Sequence, residues 1–252
     1  MRVEKVIRMT QRITRVRFFS VFSSAAFTLL FSLSAWSSNL VIEITQGVDN
    51  PVPIAVVPFQ WSGDRALNED VAQVIDADLE RSGQFKSLKR SLMLSFPFQK
   101  EDVYFRDWQY LATEYLVIGQ VVTTDTGGFQ VDYQLFDVQR QESIVSGRFA
   151  GGKNDLRALG HSISDAVYEA LTGLKGAFRT RIAYVAADKK VNPSYYKLLV
   201  ADSDGYNAKE ILKSNQPIMS PSWSRDATKL AYVSFETNRP ALYIQDITTG
   251  QR

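Results

Sequence analysis

Residues 181–188 read RIAYVAAD, and residues 229–236, 48 positions further on, read KLAYVSFE. A second pair of similar segments is spaced 44 residues apart: LLVADSDGYN at 198–207 and LYIQDITTGQ at 242–251. All four segments are short, rich in β-branched and aromatic residues, and bounded by turn-forming residues. An all-β repeat of this length is typical of a β-propeller, in which each repeat forms one blade. The sequence from 176 to 252 therefore predicts one blade and part of the next.

The chain stops at Arg252, directly after a strand and a turn. A closed propeller takes at least about four blades. An unclosed one leaves a sheet edge exposed to pairing with other chains. We therefore expect these 252 residues to be the N-terminal part of a longer protein.

Upstream of the repeats, from Ser38 to about Lys175, strand and helix patterns alternate. Strands are predicted at 52–59 (VPIAVVPF), 115–124 (YLVIGQVVTT), 127–138 (GGFQVDYQLFDV) and 142–151 (ESIVSGRFAG). The third of these turns at its two glycines and then alternates apolar and polar residues, which is the pattern of a half-buried antiparallel strand.

Three helices are predicted in the same region. Apolar residues recur every three or four positions from Leu67 to Leu79, with Asn68 as the N-cap and Gly83 as the stop. A short helix is expected at 106–115. The longest apolar stripe runs from Leu156 to Leu174, and Asn154 or Asp155 caps it. Helices on one face of a mixed sheet give an α/β two-layer domain, here residues 38–175.

The N-terminus has the composition of a secretory signal. Six basic residues and one acidic residue occupy positions 1–17, and the apolar run FFSVFSSAAFTLLFSLSA follows at 18–35. Cleavage is expected after Ala35 or Ser37, which predicts a signal peptide of residues 1–37 and export from the cytoplasm. An uncleaved membrane anchor is the alternative, although the serines in the run argue against it.

Removing residues 1–37 changes the formal net charge from +2 to −3. The excess of basic residues therefore belongs to the targeting segment. The remaining chain gives no reason to expect nucleic acid as a partner, or direct membrane insertion after the signal is removed.

The residues that could carry catalysis or bind a metal are sparse. The sequence has no cysteine and a single histidine, His161, so thiol chemistry and two-histidine metal sites are excluded. His161 is interpreted as a surface or capping residue, although Ser164 and Asp165 lie one helical turn away. Asp202-Ser-Asp-Gly is interpreted as a hairpin turn, because Lys213 stands where a calcium loop needs glutamate. We expect no catalytic residue, metal or other cofactor.

Two further motifs are interpreted as structural. Asp76 and Glu80 lie four residues apart on the first helix and are expected on a solvated face. The pairs Gly127-Gly128 and Gly151-Gly152 lack the spacing of a phosphate loop.

One segment favours a binding role: the arm, defined as residues 38–48. Its β-branched half can be an ordinary first strand of the domain, or it can add to the sheet edge of a partner. The residues expected to bind a partner are Leu40, Val41, Ile42, Glu43, Ile44, Thr45, Gln46, Gly47 and Val48.

Three segments together resemble the TolB family of the Tol–Pal system of Gram-negative envelopes. They are VIEITQGVDNPVPIAVVPFQW at 41–61, LTGLKGAFRTRIAYV at 171–185 and PIMSPSWSRDATKLAYVSFE at 217–236. One blade turn departs from the family's usual Ser-Pro-Asp-Gly, since residues 224–227 read Ser-Arg-Asp-Ala. Because this turn has neither proline nor glycine, it depends on Asp226, which can hydrogen-bond the turn backbone.

The resemblance implies an α/β domain joined to a six-bladed propeller without enzymatic activity. It implies a periplasmic scaffold between inner-membrane TolA, bound by the arm, and the outer-membrane lipoprotein Pal, bound by the propeller. Envelope integrity and constriction at cell division would be its roles.

An enzymatic alternative is the propeller portion of a prolyl-peptidase-like α/β-hydrolase. A G-x-S-x-G motif beyond residue 252 would favour it. Ligand binding at a sheet edge of the α/β domain is a third possibility, which no polar constellation supports.

Overall fold

The computed structural model describes residues 50–188, 190 and 194–252. Its first part is built on a mixed sheet in the order β3-β1-β4-β5-β6, with β2 paired to β4. The strands are β1 (Val52–Val56), β2 (Gln60–Trp61), β3 (Phe85–Ser87), β4 (Tyr115–Thr123), β5 (Phe129–Asp137) and β6 (Glu142–Gly151). The four strands predicted in this region are confirmed. Strands β2 and β3 were not predicted, because two or three residues are too few to display an alternating pattern.

The sheet is parallel on one side and antiparallel on the other. Strand β1 runs parallel to both β3 and β4, and β2 also runs parallel to β4. Strands β4, β5 and β6 form an antiparallel meander. The sequence could not give this strand order, because β1 pairs with strands that lie far from it along the chain.

In the described part of the chain, three α-helices accompany this sheet: α1 (Val71–Arg81), α2 (Phe105–Tyr110) and α3 (Leu156–Thr172). Helix α1 begins later than predicted. Its N-cap is Asp70, not Asn68, because the Asp70 carboxylate accepts the N–H of Gln73 at 3.1 Å. Its predicted stop is confirmed, since Gly83 takes the left-handed conformation with φ 71°.

Helix α3 has the predicted cap but ends before the predicted residue. Asp155 is the N-cap, although its carboxylate accepts the N–H of Gly152 at 2.8 Å and not a helical N–H. Gly173, with φ 73°, ends the helix. Leu174, expected on the apolar stripe, is therefore outside the helix and 63% exposed.

The two faces of the sheet carry separate hydrophobic cores. Helices α1 and α3 cover one face, where Ile75 and Ile163 pack against Val117 and Leu135. On the other face, Trp108 of α2 packs with Leu116 and other apolar residues. The two long helices thus lie on one face, as predicted, and the short helix lies on the opposite face.

The second part consists of two three-stranded antiparallel sheets. The first is formed by β7 (Arg181–Asp188), β8 (Tyr195–Asp202) and β9 (Lys209–Ser214), and the second by β10 (Ile218–Trp223), β11 (Lys229–Ser234) and β12 (Ala241–Asp246). The predicted repeat is confirmed, because β7–β8 and β11–β12 are equivalent hairpins. Strand β10 was missed: Pro221 and a bulge between Met219 and Ser222 interrupt its pattern.

The two small sheets share one hydrophobic core. Leu198 and Val200 of the first sheet pack with Ile218, Leu230 and Tyr232 of the second. A buried polar contact also joins them. The Tyr232 hydroxyl donates to Gln245 Oε1 at 2.6 Å, and the Gln245 amide donates to the carbonyl oxygen of Ile211 at 3.3 Å. The sheets therefore pack against each other as neighbouring blades do.

The unusual turn at 224–227 is closed without proline or glycine. Ala227 takes φ 54°, a conformation that a non-glycine residue adopts at a cost. Asp226 compensates: one carboxylate oxygen accepts hydrogen bonds from the Ser224 hydroxyl and from the N–H and hydroxyl of Thr228. These bonds lower the pKa of Asp226 to about 2.

Candidate functional site

The residues predicted to bind a partner lie outside the part of the chain that the structure describes. This applies to the arm residues Leu40 to Val48, to the expected cleavage positions Ala35 and Ser37, and to the whole predicted signal. The arm therefore remains a prediction. The described part of the chain begins at Asn50, immediately before β1.

In the described part of the chain, His161 is buried. Only 2% of its surface is exposed, so its interpretation as a surface or capping residue is wrong. Residue 161 lies on the side of α3 that faces α1. Neighbouring Gly160 lies directly against Val74, close enough that an added Cβ would sit 3.0 Å from its side chain. This close helix contact encloses the imidazole.

Two carboxylates flank the His161 ring. Its Nδ1 lies 2.6 Å from Oδ2 of Asp78, a residue of α1 that is 1% exposed. Its Nε2 lies 3.8 Å from Oδ2 of Asp204, a residue of the turn that follows β8. Asp78 also accepts a hydrogen bond from Arg81. The ring thus lies between the α/β layer and the first blade.

Arg157, one helical turn before His161, extends this polar cluster. Its guanidinium donates to Asp204, lies 3.3 Å from a carboxylate oxygen of Glu69, and stacks on the ring of Tyr206 with 3.9 Å to the centroid. We call Glu69, Asp78, Arg157, His161 and Asp204 the junction cluster. It joins both long helices to the turn that follows β8.

Hydrogen bonds to the segment before β7 hold that turn in place. Ser203 donates its N–H to the carbonyl of Thr180 at 3.0 Å and its hydroxyl to the carbonyl of Phe178 at 2.6 Å. Asp165 of α3 in turn accepts the N–H of Phe178 at 2.8 Å and that of Arg179 at 3.3 Å. The predicted hairpin turn is thus confirmed, and it also serves as the contact between the first blade and α3.

The charges of the cluster stabilise one another. Burial favours the neutral form of Asp204, but hydrogen bonds from the Tyr206 N–H and the Arg157 guanidinium outweigh burial and hold the pKa of Asp204 below its ordinary 3.8. Burial disfavours the charged form of Arg157, yet Asp204 and Glu69 raise the pKa of Arg157 above its usual value. Asp204 is therefore a carboxylate, and Arg157 a cation, at neutral pH.

Among the residues that the structure describes, no catalytic triad forms around His161. The hydroxyl of Ser164 donates to the carbonyl of Gly160 within the same helix, and Asp165 is used by the backbone of residues 178–179. A triad needs a nucleophile bonded to the histidine. In the described residues, the ring is bonded to a carboxylate and to no hydroxyl group.

The predicted solvated pair on α1 is only half correct. Glu80 is exposed, but Asp76 is half-buried, and burial raises its pKa above the ordinary 3.8. The nearby hydroxyl of Ser87 partly opposes that shift. Asp76 faces the sheet because β3 packs beside α1.

One set of side chains in the described ranges has the donors of a metal site. Ligating atoms of His161, Asp202 and Asp204 lie within 4.8 Å of one another. Three of their oxygens already have partners: Arg157 donates to Asp204 Oδ2, the Tyr206 N–H donates to Asp204 Oδ1 at 2.9 Å, and the Asn207 amide donates to Asp202 Oδ2 at 2.8 Å.

A second concave surface lies on the outer face of the sheet. The groove, about 590 Å³ in volume, is bounded by residues 98–101 and by strands β4, β5 and β6. Two of its charged groups bind each other: Arg148 donates to Asp132 at 2.6 Å, and Gln120 donates to the same carboxylate at 3.2 Å. Lys100 and Glu101 also line the groove. Such a lining can contact a polar surface.

The sequence contained a signal for the junction cluster that was overlooked. Asp78 falls between Ile75 and Leu79 on the apolar stripe of α1, where an acidic residue needs a buried partner. Arg157 and His161 are one turn apart on α3. The partners themselves could not be deduced, because Asp78 and His161 are 83 residues apart, and Arg157 and Asp204 are 47 apart.

Within residues 50–188, 190 and 194–252, no helix combines the length and apolar character needed to cross a membrane.

Comparisons with known proteins cover both parts of the chain. Residues 40–144 match the family model described as TolB amino-terminal domain, and residues 168–252 match the one described as TolB beta propeller domain. The Tol-Pal system protein TolB of Hahella chejuensis is 46% identical over 228 residues, which are 90% of this chain and 53% of that protein. The TolB of Alcanivorax borkumensis is also 46% identical, over 91% of this chain and 52% of that protein.

A solved structure agrees with these sequence matches. The crystal structure of TolB from Acinetobacter baumannii aligns with a TM-score of 0.69 and 40% identity, over 82% of this chain and 50% of that one. The chain spans about half the length of the curated relatives that it matches. The fold, a mixed α/β sheet followed by part of a β-propeller, is that of these relatives.

Proposed function

Because the chain belongs to the TolB family, we propose that it serves as a non-enzymatic scaffold of the Tol–Pal system in the periplasm. The observation that carries this proposal is the matched order of two parts, an amino-terminal domain at 40–144 and a propeller at 168–252. The relatives, named Tol-Pal system protein TolB, support a Tol–Pal role and do not favour the peptidase alternative.

The proposed partners are TolA, bound by the arm, and the lipoprotein Pal, bound by the propeller surface. Linking the two would connect the inner and outer membranes, and would serve envelope integrity and constriction at division. The composition of the arm supports backbone pairing with a partner's sheet, since Val41, Ile42 and Ile44 are β-branched. Gly47 and Pro51 fit a hinge between the arm and β1.

The scaffold role is also supported by how the polar groups are used. His161, the one histidine of the sequence, is held by Asp78 inside the junction cluster. Two of the charged groups that line the groove, Asp132 and Arg148, bind each other. Buried side chains that bond to one another fix the packing of a fold, whereas general acid–base catalysis needs a group within reach of a substrate.

Deleting the arm tests the proposal. A chain that lacks residues 38–48 should lose binding to TolA in a pull-down with purified TolA. Its melting temperature should stay nearly unchanged, because a segment that binds partners contributes little to the core. A chain in which Val41, Ile42 and Ile44 are each replaced by Ser, with the length kept, should lose binding in the same way.

Either of two results would contradict the role of the arm. Retained TolA binding by the deleted chain would place the site elsewhere. A melting temperature lowered by several degrees would show the arm to be an ordinary strand of the domain. A chain carrying Arg148→Ala in the outer groove serves as the control, and it should bind TolA normally.

A further inference from the structure

The turn after β8 brings two aspartates to a buried histidine. The sequence Asp202-Ser-Asp-Gly is sufficient for a hairpin turn, and hairpin formation alone places no demand on the residues of α3. In the structure, however, Asp202, Asp204 and His161 come together with their ligating atoms within 4.8 Å. The side chain of His161 is 3% exposed, and its Nε2 has no hydrogen-bond partner among the described residues.

We propose that His161 Nε2, Asp202 and Asp204 form a binding site for a divalent transition-metal ion, Zn²⁺ in the first place. One imidazole nitrogen and two carboxylates are ligands that zinc accepts, and a water molecule would complete four-coordination. Calcium and magnesium are less suited, because they prefer oxygen ligands alone. The site goes beyond the scaffold role and does not involve the arm.

The first argument is the orientation of the ring. Asp78 Oδ2 lies 2.6 Å from Nδ1, so Nδ1 carries the proton and donates it to the carboxylate. The lone pair of Nε2 then points towards Asp204. A carboxylate that binds the far nitrogen of a histidine is the usual support of a metal-binding imidazole, since it fixes the tautomer and makes the ring more basic.

The second argument is distance. The separation of 3.8 Å between Nε2 and Asp204 Oδ2 is too long for a hydrogen bond, so a proton shared between them would draw the groups closer. Two ligands that each lie about 2.0–2.2 Å from one tetrahedral zinc ion are separated by roughly 3.3–3.6 Å. The observed separation of 3.8 Å lies just above this range and far above a hydrogen-bond distance, so it is closer to the spacing of two metal ligands than to that of a hydrogen-bonded pair.

The third argument is charge. The junction cluster and Asp202 together hold four carboxylates, those of Glu69, Asp78, Asp202 and Asp204, whereas the ion pairs of the cluster supply two guanidinium groups, Arg81 and Arg157. A divalent ion would balance this excess of negative charge. Arg157 shares an oxygen of Asp204 with the ion, so its charge weakens binding relative to a site made of ligands alone.

The single histidine allows a direct test. The purified chain, with any affinity tag removed, is labelled with ¹⁵N-histidine, stripped of metal with a chelator and titrated with Zn²⁺ at pH 7. Because His161 is the one histidine of the sequence, its two ring nitrogens give uniquely assigned signals. We expect the Nε2 signal to shift at one equivalent of zinc, while Nδ1 stays protonated.

A matched pair of variants separates this site from adventitious binding. Asp202→Asn should weaken zinc binding, measured against a competing chelator, by roughly tenfold or more. Asp246→Asn, the same position in the next repeat, should leave the affinity unchanged. Circular dichroism of both variants checks that they fold.

Two results would overturn the proposal. The first is an Nε2 signal that does not shift in excess zinc, together with protonation of Nε2 on mild acidification. This result would show that Nε2 binds a proton and not a metal ion. The second is equal zinc affinity of the two variants, which would assign binding to adventitious surface carboxylates.

Discussion

Asp204 shows how much one side chain of the junction depends on its protonation state. Its side chain is 5% exposed and binds Arg157, whose own side chain is 19% exposed. The ion pair links α3 to the first blade, and it exists only while the aspartate is ionised. Since the pKa of Asp204 is lowered in the fold, its contribution to the free energy of unfolding is present above 3.8 and is lost as the pH falls through the lower folded value.

We therefore predict that Asp204→Asn lowers the free energy of unfolding at pH 7 by roughly 2 kcal/mol, because a charge-assisted hydrogen bond is lost in a mostly buried place. The difference between the two proteins should shrink as the pH falls below 3.8. Urea denaturation with a chelator present, from pH 7 down to the lowest pH at which both proteins fold, measures it.

The control for that comparison is Asp64→Asn, which changes an exposed aspartate of the β2–α1 loop. Its effect should stay within about 0.5 kcal/mol at every pH. A pH-independent difference for Asp204→Asn would show that the carboxylate acts through packing and not through its charge.

At the scale of elements, helix α3 supports both the sheet and the junction. Its apolar side, with Leu156, Leu159, Ile163 and Val167, packs on the sheet, while residues 157 and 161 face the turn after β8. The sequence assigned Leu174 to the same apolar stripe, but the left-handed Gly173 ends the helix first.

Two leucine-to-alanine substitutions test where helix α3 ends. Leu159→Ala should lower the free energy of unfolding by about 2–4 kcal/mol, because Leu159 is 5% exposed and its loss leaves a cavity. Leu174→Ala should change it by less than about 0.5 kcal/mol, since that side chain is 63% exposed. Denaturant melts of both variants give the values. Equal losses would mean that the helix continues beyond Gly173.

At the scale of the whole molecule, the segment between α3 and β7 joins the α/β layer to the propeller. Asp165 holds it by accepting the N–H groups of Phe178 and Arg179. Gly176 lies so close to Asp165 that an added Cβ would be 2.3 Å from a carboxylate oxygen. The connection is therefore tightly packed against α3, and the Asp165 carboxylate holds it there.

Removing that carboxylate should loosen the connection without unfolding the two parts. We predict that Asp165→Ala speeds trypsin cleavage after the exposed residues Lys175 and Arg179 by roughly tenfold, because local opening becomes easier by about the strength of one charge-assisted hydrogen bond. Mass spectrometry of the fragments over time measures the rate.

Asp137→Ala is the matched control, since Asp137 accepts a backbone N–H in the β5–β6 turn. It should leave cleavage at 175 and 179 unchanged. If both variants were cleaved equally fast, general destabilisation would account for the effect.

Local sequence determined much of this protein. The alternation in β5, the apolar stripes of α1 and α3 and the repeated hairpins β7–β8 and β11–β12 were all predicted, because side-chain periodicity is a property of neighbouring residues. The resemblance to the TolB family was also carried by short segments that could be read without a structure.

Only the tertiary structure decided the strand order β3-β1-β4-β5-β6, the strand β10 and the burial of His161. Each depends on contacts between residues distant in sequence, or on a break in the local pattern, as at Pro221. A histidine on a helix has the same local surroundings whether it faces water or a partner. It was Asp78, 83 residues away, and the turn after β8 that enclosed it.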